Sequence, residues 1–220
     1  MTIEFDDNDI ILYSAIYLPK DIISAVFDIT IIAWSKVIAN REINISSDEP
    51  IIAGYLGKAM TKEKNSRPKL RDRIRIEEEV GTRSFPNVPK PKGRIDIKII
   101  YSYNENEYFG MECKKVSSTN PDRDLGRKYV LEGVKRFVEG TYSIGHDYAA
   151  MLGFVIDGKV NDCIDLICDR LNKYKNDICL KEDWVNELSF GTTQNIYRTR
   201  HIQDGQNDLM TILHLFLTVS

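Results

Sequence analysis

The feature that most restricts what this chain can fold into is a pair of short apolar runs joined by a polar turn. The first is Gly93-Arg94-Ile95-Asp96-Ile97-Lys98-Ile99-Ile100, the turn is Asn104-Glu105-Asn106, and the second is Tyr108-Phe109-Gly110-Met111-Glu112-Cys113-Lys114-Lys115. Isoleucine and aromatic residues favour strands, and a polar turn between two such runs folds them into a hairpin. Side chains alternate along a strand, so Glu112 and Lys114 leave one face together while Cys113 leaves the other, toward a core. A hairpin that turns near Asn104 sets Asp96 opposite or beside Glu112. Opposed side chains lie roughly 5 Å apart, and like charges at that separation repel unless a cation lies between them.

A hard divalent cation supplies that charge. Magnesium prefers oxygen ligands, keeps several waters, and is held by one or two carboxylates together with substrate phosphate. Such an ion polarises a phosphate and acidifies a bound water. Lys114 then has two roles open to it: to deprotonate or orient the water, or to stabilise charge building on the phosphate oxygens. The plain alternative is a surface hairpin on which Lys114 merely neutralises Glu112. The apolar residues on both runs speak against a fully solvated face.

Leu18-Pro19-Lys20-Asp21 reads as a helix start, with an apolar helix following to about Asn40. Ser46-Ser47-Asp48-Glu49-Pro50 is a second start, continued by Ile51, Ile52, Tyr55, Leu56 and Met60 on one face. Residues 74 to 84 read as a strand, after which Pro86, Pro89 and Pro91 break regular structure. Residues 121 to 126 form a loop, and 127 to 142 have helical spacing. Tyr148 to Asp157 is nearly all apolar, as in a strand covered on both faces. A helix over 162 to 175 follows, then strands over 196 to 202 and 209 to 219 that extend the sheet, the last also readable as a short helix.

The N-terminal residues are acidic where a secretory leader would be basic, and the apolar stretch from Ile22 to Ile38 is interrupted by Asp28 and Lys36. A buried helix, no membrane association and a cytoplasmic location are the expectations. Cysteines 113, 163, 168 and 179 form no C-x-x-C pair and do not cluster with the three histidines, which speaks against structural zinc and a disulfide framework. A net charge of -3 does not mark a general nucleic-acid binder, but the charge is uneven. Residues 62 to 75 are strongly basic, so Arg67, Lys69, Arg71 and Arg73, with Lys92 and Arg94, are candidate phosphate contacts. A solvated loop is the alternative. His201, beside Arg198 and Arg200, is expected to be structural, and Tyr129, Phe137 and Tyr142 are expected in the core.

Asp96 on one strand and Glu112-Cys113-Lys114 on the next resemble the D…(D/E)-x-K signature of the PD-(D/E)XK nuclease superfamily. Ile95 stands where the family name has proline. The resemblance covers residues 48 to 157 and implies an α/β, restriction-endonuclease-like core: helix, three strands, helix, strand, with a mixed central sheet flanked by helices. Residues 1–45 would be a helical extension and 158–220 a C-terminal helix and strands of one nuclease domain. The resemblance implies magnesium or manganese bound by Asp96, Glu112 and the Cys113 carbonyl, with Lys114 assisting the water. It also implies an acid on the first core helix that completes the metal site; Glu49 matches best, with Asp48 and then Glu42 as alternatives. Lys128, Tyr129 and Glu132 are candidates on the helix after the third strand. The expected activity is hydrolysis of nucleic-acid phosphodiesters, with DNA as the substrate, in restriction or anti-phage defence. The rival expectation is a non-catalytic or partner-activated subunit that binds nucleic acid within a larger complex. With no helix-turn-helix or zinc module in sight, a protein partner is expected to supply specificity, and self-association stays open.

Overall fold

The structure, a computed structural model, describes residues 20–81, 93–120, 124–190, 192, 194–205 and 209–219. Its elements run α1 (Lys20–Ala39), α2 (Glu49–Asn65), α3 (Pro68–Arg71), β1 (Arg75–Gly81), β2 (Arg94–Ile100), β3 (Tyr108–Ser117), α4 (Leu125–Tyr129), a π-turn (Val130–Val134), α5 (Lys135–Val138), β4 (Tyr148–Asp157), α6 (Val160–Lys173), β5 (Leu180–Glu187), β6 (Ile196–Ile202) and β7 (Leu209–Thr218). The strands form one seven-stranded mixed sheet in the order β1-β2-β3-β4-β7-β6-β5. β4 runs parallel to both β3 and β7, and the remaining neighbours are antiparallel. The protein is thus α/β, with helices on both faces of the sheet.

Alternation along the strands sorts the core into two layers. Met111 and Cys113 of β3, Ala150, Leu152 and Phe154 of β4, and Leu213, Leu215 and Leu217 of β7 pack with α1 and α2. Val116, Met151, Val155, Ile212 and Phe216 point the other way, against α4, α5 and α6. Residues two apart share a face, so Glu112 and Lys114 belong on the second side, beneath the α4–α5 helix.

The expected α1 is present and buried on the sheet. Among the described residues it is the one helix long and apolar enough to cross a membrane, and half of that stretch is buried inside the protein. Trp34 stacks on Phe154 at 5.2 Å and donates its indole N–H to the Thr218 carbonyl at 2.9 Å, which ties the helix to β7. The four cysteines are free.

Three elements depart from the expectations, the first being α3, a short helix within the basic stretch. β5 forms from Leu180–Glu187, a segment in which the charged and polar residues Lys181, Glu182, Asp183, Asn186 and Glu187 hide the strand pattern. It is an edge strand, where charges guard exposed backbone. The helix expected over 127 to 142 begins at Leu125 and ends at Val138, and a π-turn interrupts it: the Lys135 amide reaches back five residues to the Val130 carbonyl. Gly133 lies in that turn. A Cβ there would stand 2.4 Å from Met151 Cε and 3.5 Å from Lys114 Cγ, so glycine allows the helix backbone to settle close over β3 and β4.

Candidate active site

The site is a fork in the sheet. The β1–β2 ladder continues to Val80↔Ile95 and Gly81↔Arg94, whereas the β2–β3 ladder stops at Ile97↔Met111. Ile95 accordingly packs in the second core layer although Ile97 and Ile99 pack in the first. Where β2 leaves, β3 amides that would have bonded to it need other acceptors. Two carboxylates take over. Asp96 Oδ2 accepts the Cys113 N–H at 2.7 Å, and Glu49 Oε2 accepts the Lys115 N–H at 2.7 Å. Backbone geometry thus fixes both acids.

Glu49 opens α2, behind the N-cap Asp48 and ahead of Pro50. The entry to that helix is tied to β3 by Lys115, whose ammonium donates to the carbonyls of Ser47 at 2.8 Å and Ile45 at 3.2 Å. The lysine pair therefore divides its work. Lys115 positions the loop, and Lys114 enters the site.

Lys114 Nζ donates to Glu112 Oε1 at 2.8 Å, the Cys113 carbonyl at 2.8 Å and Glu49 Oε1 at 3.0 Å. Glu112 Oε1 also accepts from Arg136 Nη1 at 3.1 Å, and Arg136 Nη1 donates to the Tyr142 hydroxyl at 2.9 Å. Glu112 is 1% exposed, and its second oxygen, Oε2, is buried with no partner among the described residues. Burial, then the nearby Asp96 charge, pushes the Glu112 carboxyl up to about 7 in spite of Lys114 and Arg136. Burial also raises Asp96, with Glu49 adding to it and the Cys113 amide opposing. For Lys114, burial disfavours the charge, but Glu112, Glu49 and Asp96 outweigh it and hold the ammonium above the ordinary lysine range.

Three carboxylates here face two cations, and one buried carboxylate oxygen stays bare. Among the described residues no group of three His, Cys, Asp and Glu side chains forms a metal cage by itself. A physical reason is at hand, since the Lys114 ammonium stands between Glu49 and Glu112. Magnesium or manganese does not require such a cage: one or two carboxylates, a carbonyl and waters suffice. Glu112 Oε2, the Asp96 carboxylate and the Cys113 carbonyl are hard oxygen donors of that kind.

Of the residues expected from sequence, Asp96, Glu112, Lys114 and Glu49 come together. Asp48 and Glu42 are exposed, and Asp48 makes no side-chain cap. Cys113 points into the first core layer, as alternation requires. The helix candidates fare differently. Lys128 and Glu132 are exposed, and Tyr129 is fully buried against His214. The side chains that join the site from this region are Arg136 and Tyr142, with Lys115 from β3. Arg136 sits between the core residues Val134 and Phe137, a flanking position that the stripe of apolar residues alone does not single out.

The basic stretch is partly engaged. Arg67 pairs with Glu63 at 3.2 Å, Arg71 with Asp72 at 3.5 Å, and Arg73 with Asp21 at 3.3 Å, while Lys69 is exposed. Arg94 is exposed at the start of β2, and Lys92 lies outside the described residues. His201 and His214 are buried in one hydrogen-bonded chain, which fits a structural role. The Ile178 carbonyl can only accept, so His201 carries its proton on Nδ1 and receives the Thr199 hydroxyl at Nε2, over 2.7 Å each. Thr199 Oγ1 then accepts from His214 Nε2 at 2.9 Å, and His214 Nδ1 accepts from the Tyr129 hydroxyl at 3.0 Å. Burial lowers His201 to about 4 and drives His214 well below its usual value, so both are neutral.

No protein-family model, curated protein or solved structure matches this chain.

Proposed function

We propose that the protein is a magnesium- or manganese-dependent nuclease of the PD-(D/E)XK type, hydrolysing phosphodiesters in nucleic acid, with DNA as the substrate. The observation that carries this reading is the fork: Asp96 and Glu49 locked onto β3 amides beside Glu112, whose inner oxygen is bare. An ordinary charge cluster on a hairpin satisfies its acids with cations or water. Here one oxygen of a buried carboxylate has no partner among the described residues, which a fold tolerates only at a cost. The order from α2 through β1, β2, β3 and the α4–α5 helix to β4 supports a restriction-endonuclease-like core, with α3 as a short addition.

Asp96 and Glu112 would hold the ion with the Cys113 carbonyl. When bound, the ion supplies Lewis acidity toward the phosphate and a more acidic water. Glu49 orients Lys114. Lys114, kept charged by three carboxylates, is unsuited to accept a proton, so its part is to donate hydrogen bonds to oxygens that gain negative charge.

Incubation with supercoiled plasmid tests the proposal. Nicking or linearisation is expected with magnesium or manganese, and loss of cutting with excess chelator or with calcium alone. Undiminished cutting in chelator overturns the metal assignment. A partner-activated subunit is the second reading, favoured by one observation: Lys114 is tied to Glu49, Glu112 and the Cys113 carbonyl, an arrangement that must loosen before that carbonyl can turn to an ion. It expects neither cutting nor firm metal binding by the isolated chain, and both once the partner is added.

A further inference from the structure

Arg136 is held in an unusual way. One guanidinium nitrogen, Nη1, makes both of its hydrogen bonds, to Glu112 Oε1 and the Tyr142 hydroxyl. Its side chain is 41% exposed, and Nε and Nη2 have no partner among the described residues. An arginine serving only to neutralise a buried carboxylate is expected to pair through two nitrogens with both oxygens, the strong form of that interaction. Here Glu112 keeps one oxygen without a partner among the described residues although Arg136 is present.

The anchor beneath the guanidinium is rigid. Tyr142 is buried between the helix and the start of β2. A Cβ on Gly93 would meet its ring at 2.9 Å, and Phe137 packs on it edge-on at 5.5 Å. The turn that carries it passes through positive φ at Gly140, Ser143 and Gly145. Buried Gln203 pins that turn, donating to the carbonyls of Phe137 at 2.7 Å and Ser143 at 3.1 Å and accepting the Gly145 N–H at 2.8 Å. Tyr108 adds a further tie by accepting the Ser143 N–H at 2.9 Å. A guanidinium fixed along one edge, with its other donors open to solvent beside a cluster of acids, presents a ready fork to an oxyanion.

We propose that Arg136 is the residue by which this site grips a nucleic-acid phosphate, through Nε and Nη2. The inference rests on the nuclease reading above. A phosphate held at Nε and Nη2 leaves the Nη1 bonds to Glu112 and Tyr142 in place. The grip therefore depends on both the charge and the planar geometry of arginine.

The test uses the full chain, a fluorescent DNA duplex, and the variants Arg136→Gln and Arg136→Lys, read by binding at several salt concentrations and by steady-state cleavage in magnesium. Arg136→Gln should bind about tenfold more weakly or worse and raise KM, because it removes a charge-assisted hydrogen bond to the phosphate. Its salt dependence should flatten by about 0.9 in slope, the share of one duplex phosphate. Arg136→Lys should recover the slope but not the affinity. If the wild type cuts DNA and Arg136→Gln matches it in affinity, slope and KM, the phosphate role is overturned and the nuclease reading stands. If the wild type neither binds nor cuts, both fall. Should Arg136→Gln fail to fold, Arg136→Lys decides: weaker binding at an unchanged melting temperature upholds the grip, and equal binding overturns it.

Discussion

Replacing Glu112 by glutamine separates a functional carboxylate from a structural one. The side chain is 1% exposed, and its carboxyl is raised from 4.5 to about 7 by burial and Asp96. The ionised form is therefore less at home in the fold than in the unfolded chain. Below pH 4.5 the proton is bound in both states; as pH rises toward 7 the folded protein holds it longer, and stability falls across that window. The size is about 3 kcal/mol, from about two and a half pH units at about 1.4 kcal/mol each. Glutamine mimics the protonated acid. In chelator at about pH 8, Glu112→Gln should be more stable than the wild type by up to about 3 kcal/mol, or about 6–12 °C in melting temperature for a chain this long. The difference should shrink to under about 1 kcal/mol by about pH 5. Magnesium should raise the melting temperature of the wild type and leave that of the variant unchanged. The assay is thermal melting from about pH 5 to 8.5 with and without metal. A variant less stable than the wild type at about pH 8 would refute the reasoning, since it would mean that the fold needs the Glu112 charge to satisfy Lys114 and Arg136.

Asp96→Asn keeps an acceptor for the Cys113 amide, so calorimetry should show weakened metal affinity with little change in melting temperature. Lys114→Ala should retain or improve metal binding while single-turnover cleavage falls roughly 10²-fold or more, the scale set by removing a transition-state charge partner; normal cutting by this variant removes the residue from the mechanism. Changing Arg67, Lys69, Arg71 and Arg73 together to alanine should flatten the salt dependence of DNA binding by roughly one unit for each phosphate these side chains hold, and an identical slope marks them as ordinary surface. For the buried histidines, imidazole nitrogen spectra should find His201 protonated at Nδ1 and His214 at Nε2, with no titration between about pH 5.5 and 8. Because the unfolded chain binds these protons near pH 6.5 and folded His201 only near 4, the pair withdraws stability as pH falls through that range.

The hairpin is legible in the sequence because two short-range rules act on it together: alternation puts Glu112 and Lys114 on one face, and the turn sets the pairing near Asp96. The departure of β2 from β3 is not, since it depends on where Ile95 finds its core layer, a tertiary matter. Glu49 is legible as a helix-opening acid, yet its hold on the Lys115 amide exists only because of that departure. β5 is hidden since an edge strand needs no apolar stripe. Arg136 is hidden because its direction depends on the π-turn, which no local pattern in Val130-Leu131-Glu132-Gly133-Val134 announces. The position of β7 between β4 and β6 likewise needs the whole sheet.

That π-turn gives the helix a phase. An α-helix advances about 100° per residue, and a π-turn accommodates one residue more than the regular ladder would. Residues before Val130 and after Val134 therefore sit on two helical registers offset by one step, with Tyr129 aimed at the histidine chain from one and Arg136 at Glu112 from the other. Removing a single residue, Leu131 for instance, would let a regular helix run from Leu125 to Val138 with the same caps and nearly the same apolar content. It would leave both anchors aimed as they are, because the π-turn absorbs that residue; straightening the helix with all its residues kept would instead rotate one anchor away from its partner by about 100°. The two halves of the helix are thus indexed against each other like two gears on one shaft, and at its present length the helix keeps its arginine on the site only while the π-turn takes up the extra tooth.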